Sequence, residues 1–171
     1  ERSGEEAIQE IRNLKKMVRS ALYEVRRIIY DLRPMALDDL GLIPTLKKYL
    51  QTTEEYHQNT EISFVHFGQD ERLPNKYEVA LFRLIQESVQ NALKHAAASQ
   101  IQVKFEQRKG NITVVIKDNG KGFDTTHKKD KSFGLIGMRE RVEMLEGKLE
   151  IKSDSGQGTS IYIRLPLKDT L

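Results

Sequence analysis

The sequence predicts a two-layer α/β sandwich preceded by one long amphipathic helix. Apolar residues recur at heptad spacing near the amino terminus, and a second helical period follows from residue 74. Short alternating runs typical of strands then surround glycine-rich segments. A chain of 171 residues has room for one compact domain and a helical appendage. We therefore expect a boundary near residue 34, with 1–34 and 35–171 as the two parts.

The composition argues against several classes of protein. Cysteine is absent, which rules out a disulfide framework or a thiolate metal site and favours a reducing compartment. No apolar run approaches the roughly 20 residues of a membrane span, and the first residues do not resemble a signal peptide, so we expect a soluble, cytoplasmic protein with no membrane segment. The 28 basic and 25 acidic residues are mixed along the chain, so nucleic acid is not an expected partner.

The first predicted helix carries a heptad seam whose members alternate spacings of four and three. They are Ala7, Ile11, Leu14, Val18, Ala21, Val25, Ile28 and Leu32. Polar residues fill the opposite face, so the helix is amphipathic and requires a partner helix. We infer self-association, or a partner segment outside this sequence. Pro34 ends the helix because it restricts the preceding residue and has no amide donor.

Two more helices and a strand are predicted in the middle of the chain. A shorter helix covers residues 44–56, with Pro44 in its first turn. Residues 62–67 form a strand with apolar side chains on both faces, which places it within a covered sheet. A long helix opens at Pro74 and keeps helical spacing to about Ala96.

The remaining elements complete a mixed sheet. Four runs are predicted strands, and they cover residues 101–107, 112–117, 148–153 and 160–165. Glycine and charge dominate residues 121–132, which predicts a mobile loop able to act as a lid. A helix begins after it, near Gly134.

A carboxylate, a carboxamide and basic groups share one face of the long helix. Glu87, Asn91 and either Lys94 or His95 stand three or four residues apart. Mg²⁺ prefers oxygen ligands and keeps several waters, which suits the Asn91 amide oxygen and phosphate oxygens, with Glu87 holding a coordinated water. Lys94 would neutralise phosphate charge. On this motif alone, an exposed helix face with polar residues is an equally good interpretation.

Two glycine-containing segments follow, at a strand end and at a helix start. Residues 118–122 read Asp-Asn-Gly-Lys-Gly, which puts the Asp118 carboxylate at a sheet edge, able to accept a hydrogen bond from an adenine amino group. Gly134 and Gly137 let the amides and dipole of the next helix approach phosphates. A common turn and an ordinary loop-to-helix junction are the alternatives. The order of the three motifs predicts an ATP site.

Four segments together resemble the N, G1, G2 and G3 boxes of the GHKL ATPase superfamily, whose members have the Bergerat ATP-binding fold. The boxes are residues 87–91, 118–122, 134–138 and 156–159. The likeness spans roughly residues 44–166. It implies that Asp118 recognises adenine, that Asn91 holds Mg²⁺, and that Glu87 positions water or assists proton transfer. The residues it assigns to ATP are Asn91, Lys94, His95, Asp118, Gly120, Gly122, Gly134, Leu135, Gly137, Met138, Gly158 and Thr159.

Residues 24–42 narrow the resemblance to histidine kinases that pair with NarL-type response regulators. This likeness implies that residues 1–34 are the second helix of a dimerisation and phosphotransfer region and that residues 35–171 are the catalytic domain. It further implies a homodimer in the full-length protein, with phosphoryl transfer from ATP to a histidine and then to an aspartate of the regulator.

The phosphate-accepting histidine of this family is expected in a His-Asp motif on the first dimerisation helix, and no such motif occurs here. The four histidines lie outside the heptad helix. They are His57, His66, His95 and His127. We therefore expect an ATP-binding fragment that does not phosphorylate itself. One alternative is a GHKL serine kinase of the anti-sigma type, which lacks such a helix. Another is a non-catalytic interaction module with a relic pocket.

Overall fold

The computed structural model describes residues 2–31, 35–68, 71–124 and 133–167. Those ranges contain five α-helices, five strands and one π-helical turn. The helices are α1 (Arg2–Asp31), α2 (Met35–Leu40), α3 (Leu42–Tyr56), α4 (Asn75–Asn91) and α5 (Phe133–Glu143), and the strands are β1 (Glu61–Gly68), β2 (Gln100–Arg108), β3 (Asn111–Asp118), β4 (Lys148–Ser153) and β5 (Thr159–Pro166). The chain divides into two compact units, Glu1–Met35 and Ala36–Leu171.

Helix α1 forms the first unit and confirms the predicted long helix. Its 30 residues run without interruption. Its large apolar side chains are exposed, and the exposed ones are Ile8, Ile11, Leu14, Met17, Val18, Leu22, Val25 and Ile28. The expected last seam position, Leu32, and the expected helix stop, Pro34, lie outside the described residues.

The second unit is built on a five-stranded mixed sheet with strand order β1-β2-β3-β5-β4. Only β1 and β2 run parallel among these neighbouring pairs, and the other three pairs are antiparallel. One face of the sheet is apolar and includes Val103, Val114 and Ile163, all buried. Helices α3, α4 and α5 lie against strands of this sheet, which gives the predicted two-layer α/β sandwich.

Strand β1 corrects one expectation from the sequence. It is an edge strand, and Phe67 near its end is 55% exposed. Because apolar side chains occupy both of its faces, the sequence predicts a strand that is covered on both sides. Instead, the face opposite the helices bears exposed polar side chains such as Gln102 and Lys104 on the adjacent strand. Apolar side chains on both faces of β1 therefore do not indicate that a second layer covers the sheet.

The long helix predicted from Pro74 to Ala96 is confirmed but changes geometry before its end. It is α-helical to Asn91 and continues as a π-helical turn over Ala92–Ala96. The backbone then enters the left-handed region at Ala97, with φ of 50°. The amides of Ala97 and Ala98 both donate to the carbonyl of Ala92. This turn delivers Lys94 and His95 to the end of the helix.

Candidate nucleotide site

A cavity of about 470 Å³ opens beside α4 and the π-helical turn, at the carboxyl end of β3. Its lining combines three of the predicted motifs and the start of β5. The predicted site residues along it are Glu87, Asn91, Lys94, His95, Asp118, Gly122, Gly134, Leu135 and Thr159. This volume is in the range of small-molecule sites, which are roughly 300–1,000 Å³. The structure thus brings together nine residues that are far apart in the sequence.

Glu87 and Asn91 face one another across one turn of α4. The Asn91 side-chain amide donates to Glu87 Oε1 at 3.3 Å, and both side chains are half-buried. The bond uses the Nδ2 donor of Asn91 and leaves its Oδ1 atom for another partner. A carboxamide oxygen is a hard ligand suited to Mg²⁺. Lys94 and His95, one turn further on, are exposed, as groups that meet phosphate from solvent would be.

Asp118 ends β3, which is the central strand of the sheet, and so the carboxylate lies at a strand end and not at the sheet edge as expected. The amide of Gly120 donates to Asp118 Oδ1 at 2.8 Å. Burial raises the pKa of Asp118, and hydrogen bonds from the Gly120 amide and from the Thr159 amide and hydroxyl oppose that rise in the pKa. The result is a half-buried acceptor whose Oδ1 atom is held by the Gly120 amide.

Three glycines allow the backbone around Asp118 to approach closely. A Cβ on Gly120 would overlap Ala96 of the π-helical turn, and one on Gly158 would overlap the Asp118 carbonyl. Gly122 would meet the carbonyl of Asp154, and it has φ of 59°. Such contacts exclude any side chain at these positions. Gly120 and Gly158 do not line the cavity themselves, so they shape its wall without facing its interior.

Helix α5 begins against the α4 motif. A Cβ on Gly134 would overlap Glu87 Oε1, so the absence of a side chain lets the start of α5 reach Glu87. Gly137 and Met138 do not line the cavity; Gly137 adjoins Arg141 of its own helix, and Met138 is fully buried in the core. The structure thus brings only Gly134 and Leu135 of this segment to the cavity.

Several lining residues were not identified from the sequence. Ile151 on β4 and Ile161 on β5 are two of them, and they give the cavity apolar surface. Lys121 and Phe123, which belong to the loop expected to act as a lid, line the cavity from the segment after β3. The two isoleucines read as ordinary strand residues, because alternation shows which face they occupy but not where that face leaves a cavity. Residues 125–132 of the predicted lid lie outside the described residues.

Asn119 has a structural task. Its Oδ1 accepts from the amides of Ser99 and Gln100 at 3.0 and 2.9 Å, and its Nδ2 donates to the Ser99 hydroxyl. The bonds join the end of β3 to the start of β2. Asn119 therefore keeps Asp118 and the π-helical turn in register. Asn119, although it lies between Asp118 and Gly120, thus does not line the cavity.

The described ranges contain neither a cluster of metal-binding side chains nor a helix suited to cross a membrane. Within them, no group of three or more histidine, aspartate or glutamate side chains is arranged to hold a metal. None of the helices there has both the length and the apolar character that a bilayer crossing requires.

Comparison with known sequences agrees with this geometry. The signature of the family described as "Histidine kinase-, DNA gyrase B-, and HSP90-like ATPase" matches residues 76–169. The signal transduction histidine-protein kinase/phosphatase DegS of Brevibacillus brevis is 61% identical over 163 residues, which are 95% of this chain and 42% of that protein. DegS of Bacillus subtilis (strain 168) is 59% identical over 172 residues, 98% of this chain and 45% of that protein. The chain thus spans less than half the length of these curated relatives.

Solved structures show the same fold at low sequence identity. The blue-light activated histidine kinase of Erythrobacter litoralis EL346 superposes with a TM-score of 0.66 and 20% identity, over 88% of this chain and 51% of that one. The histidine kinase AdeS of Acinetobacter baumannii gives a TM-score of 0.59 and 16% identity, over 91% of this chain and 85% of that one. At these identities the likeness concerns the fold alone.

Proposed function

Because the chain belongs to the histidine kinase-, DNA gyrase B-, and HSP90-like ATPase family, the GHKL superfamily expected from its four boxes, we propose that it is the catalytic portion of a two-component sensor histidine kinase. In this proposal it binds Mg-ATP and transfers the γ-phosphoryl group to a histidine on a dimerisation helix outside this sequence, for relay to an aspartate of a NarL-type response regulator. The complete protein would be a cytoplasmic homodimer. The high identity to two DegS proteins supports this assignment over the serine-kinase and non-catalytic alternatives.

The observation that carries the proposal is the convergence of Glu87, Asn91 and Asp118 on one cavity. Asp118 would accept a hydrogen bond from the adenine amino group, and Ile151 and Ile161 would pack against the flat face of the base. The Oδ1 atom of Asn91 would ligate Mg²⁺, and Glu87 would hold a coordinated water or take a proton. Lys94 and His95 would donate to phosphate oxygens, together with amides at the start of α5 from Gly134 onward.

ATP supplies the phosphoryl group in this scheme. The bond from the γ-phosphorus to its bridging oxygen breaks as a bond to a histidine ring nitrogen forms, and ADP leaves. The protein contributes positioning and charge stabilisation, which are the main sources of rate in phosphoryl transfer. The Glu87–Asn91 hydrogen bond holds these two polar groups together in the wall of the cavity.

Of the histidines with a described environment, only His95 lines the nucleotide cavity, so His57 and His66 do not lie beside a nucleotide bound there. His57 is half-buried, and burial lowers its pKa. His66 lies within β1 against Phe105 at a ring-centroid distance of 5.6 Å. His95 belongs to the cavity itself. His127 lies outside the described residues.

Binding and transfer should be measured separately to test the proposal. We expect the chain to bind ATP with Mg²⁺, and we expect little self-labelling from ATP carrying a radioactive γ-phosphate. Addition of a second chain that carries the dimerisation helix with its histidine should produce labelling. Failure to bind ATP in the presence of Mg²⁺ would refute the proposal, and phosphoserine on the partner would favour the serine-kinase alternative.

The role of Asn91 has a matched control. Asn91→Ala should remove most of the Mg²⁺ dependence of ATP affinity, because it deletes the proposed oxygen ligand. Asn111→Ala, an exposed position at the start of β3, should leave that dependence unchanged. Equal Mg²⁺ dependence in the two variants would show that Asn91 is not a ligand.

A further inference from the structure

We propose that Arg72 is a positioning residue that clamps α2 to the ATP-binding unit and thereby sets the length of chain joining that unit to α1. Arg72 lies just before α4 and does not line the nucleotide cavity. The inference rests on the proposed function, because a short connection matters only when the pocket must reach a histidine held by the dimerisation region.

The clamp consists of one guanidinium and three acceptors. Arg72 Nη2 donates to the carbonyls of Leu37 and Asp38 at 2.6 and 2.7 Å. Its Nε donates to Glu78 Oε1 at 3.1 Å. The two carbonyls belong to the two central residues of α2 and are among its last four carbonyls, where a cation is favoured. The Leu37 carbonyl also accepts from the Gly41 amide at 3.1 Å. Arg72 therefore donates hydrogen bonds to backbone carbonyls of α2 and to the Glu78 carboxylate at the same time.

Burial makes the Glu78 carboxylate a fixed anchor. Its side chain is 4% exposed, whereas that of Arg72 is 51% exposed. A buried carboxylate needs a charged or hydrogen-bonding partner, and Arg72 is the one with which it forms an ion pair. Glu78 thus holds the guanidinium through Nε, and this leaves Nη2 to bind the carbonyls of α2.

The sequence around α2 accommodates this arrangement. Gly41, between α2 and α3, has φ of 82°, and a Cβ there would lie 3.2 Å from Arg72 Nε. The Thr45 hydroxyl lies within hydrogen-bonding distance of the carbonyls of Gly41 and Ala36, at 2.7 and 3.1 Å. Leu37 is buried at 1% exposure. A six-residue helix too short to be stable alone is thereby attached to the unit at both its ends.

The attachment determines how far the connecting chain can extend. Between Asp31, where α1 ends, and Ala36, an extended chain reaches at most about 17 Å at roughly 3.3–3.6 Å per residue. If α2 were released, the connection would run to Leu42, where α3 begins, and would reach about 38 Å. The effective concentration of tethered groups falls roughly as the −3/2 power of linker length, so release would lower it about threefold.

The test removes the clamp while avoiding an unpaired buried charge. In the double variant Arg72→Met/Glu78→Leu, apolar residues of similar size replace the ion pair, a change that is often neutral for folding. The control is Arg108→Met/Glu106→Leu, which removes the ion pair at the end of β2. Hydrogen exchange and ATP affinity would be measured on the 171-residue chain.

We expect the amides of α2 and Gly41 to exchange at least tenfold faster in the clamp variant, while α3, α4 and ATP affinity change less than twofold. The control pair should leave α2 unchanged. Protection of α2 as in the unaltered chain would overturn the proposal, and so would loss of protection spreading into α3 and α4, since Arg72 would then be a general stability residue. Failure of the unaltered chain to bind ATP would refute the proposed function and leave the α2 result standing.

A second readout measures the connection itself. The chain has no cysteine, so Lys15→Cys on α1 and Lys104→Cys on β2 would carry two spin labels, diluted with unlabelled chain. The distribution of label distances should widen in the clamp variant. In a protein that carries the phosphate-accepting helix, kcat should fall about threefold with the KM for ATP unchanged. An unchanged distance distribution, or a change in KM alone, would contradict the assignment.

Discussion

Helices α1 and α4 carry the same kind of apolar periodicity but have opposite surroundings. In α1 the large apolar side chains are 51–69% exposed. In α4 the corresponding residues are fully buried, and they are Leu81, Phe82, Leu84, Ile85 and Val89. Helix α4 lies between α3 and α5 and against β3, which cover its stripe. Periodicity therefore predicts a helix with an apolar face but does not identify what covers that face.

The energetic consequence differs accordingly. Full burial of a large apolar side chain stabilises a fold by roughly 1.5–3 kcal/mol. Helix α4 obtains this contribution within the second unit, whereas the apolar side chains of α1 are exposed and do not obtain it within the first unit. Stability of the second unit should thus depend on α4 and be indifferent to α1.

The largest expected effect is on folding. Phe82→Ala should lower the free energy of unfolding of the second unit by about 3–5 kcal/mol, because it leaves a cavity under Tyr49, whose ring packs edge-on against Phe82. Leu14→Ala on α1 should change it by less than about 0.5 kcal/mol. Calorimetric unfolding of both variants gives the measurement. If both variants lost the same free energy of unfolding, α1 would unfold cooperatively with the second unit, and the two helices would not differ in their contribution to its stability.

Glycines sharpen the same contrast. Gly158→Ala should cost about 2–4 kcal/mol, because its φ is 75° and the new Cβ would overlap the Asp118 carbonyl. Gly156→Ala, with φ of 80° and open space around it, isolates the backbone strain and should cost about 1–2 kcal/mol. On α1, Gly4→Ala meets no atom within 4 Å and should favour the helix by up to about 1 kcal/mol. Unfolding by urea measures the cost at 156 and 158, and helical circular dichroism measures the effect of Gly4→Ala. An equal cost at 156 and 158 would show that the close approach to the Asp118 carbonyl does not contribute.

Nucleotide binding should also belong to the second unit alone. Asp118→Asn keeps an oxygen for the Gly120 amide but replaces the charged acceptor, so the Kd for ATP should rise about 10- to 100-fold. Glu10→Gln on α1 should leave it unchanged. Titration calorimetry measures both. A normal Kd in the Asp118 variant would remove this carboxylate from base recognition.

The smallest effect is a pH dependence confined to the second unit. Because burial raises the pKa of Asp118, the folded state holds this proton more tightly than the unfolded state does. The stability from this group is present below the ordinary pKa of 3.8 and is lost as pH rises through the raised pKa. ATP affinity should follow the reverse direction and fall on acidification through the same window. Asp118→Asn should lack both steps, and an identical pH profile in that variant would exclude Asp118 as their source.

The sequence predicted most of this fold for identifiable reasons. The helix with the heptad seam, the helix from Pro74 and the strands over 101–107 and 112–117 each have a strong local pattern, and all of these elements are observed. Helix α2 was not predicted, since six residues are too few to show a period. Its position depends on Arg72, which is distant in sequence.

The candidate site was predicted in part for similar reasons. Glu87 and Asn91 share one helix, so spacing alone places them together. The contribution of Ile151 and Ile161 depends on how β4 and β5 end beside Asp118, which no local pattern encodes. Met138 was assigned to ATP with its segment, but helical rotation turns it into the core.

The π-helical turn has a consequence for how this protein can diverge. Ala92–Ala96 holds one residue more than an α-helical path would need, and its last residue accepts the Lys121 amide at 2.9 Å and adjoins Gly120. Deleting one residue here would remove the extra residue of the turn and withdraw the Ala96 carbonyl from the Lys121 amide. Insertions and deletions between Asn91 and Ala97 should therefore be purged in descendants, and Lys94 and His95 should be retained because they line the cavity. Chain length in this segment, together with these two basic residues, is then the heritable mark of an intact site.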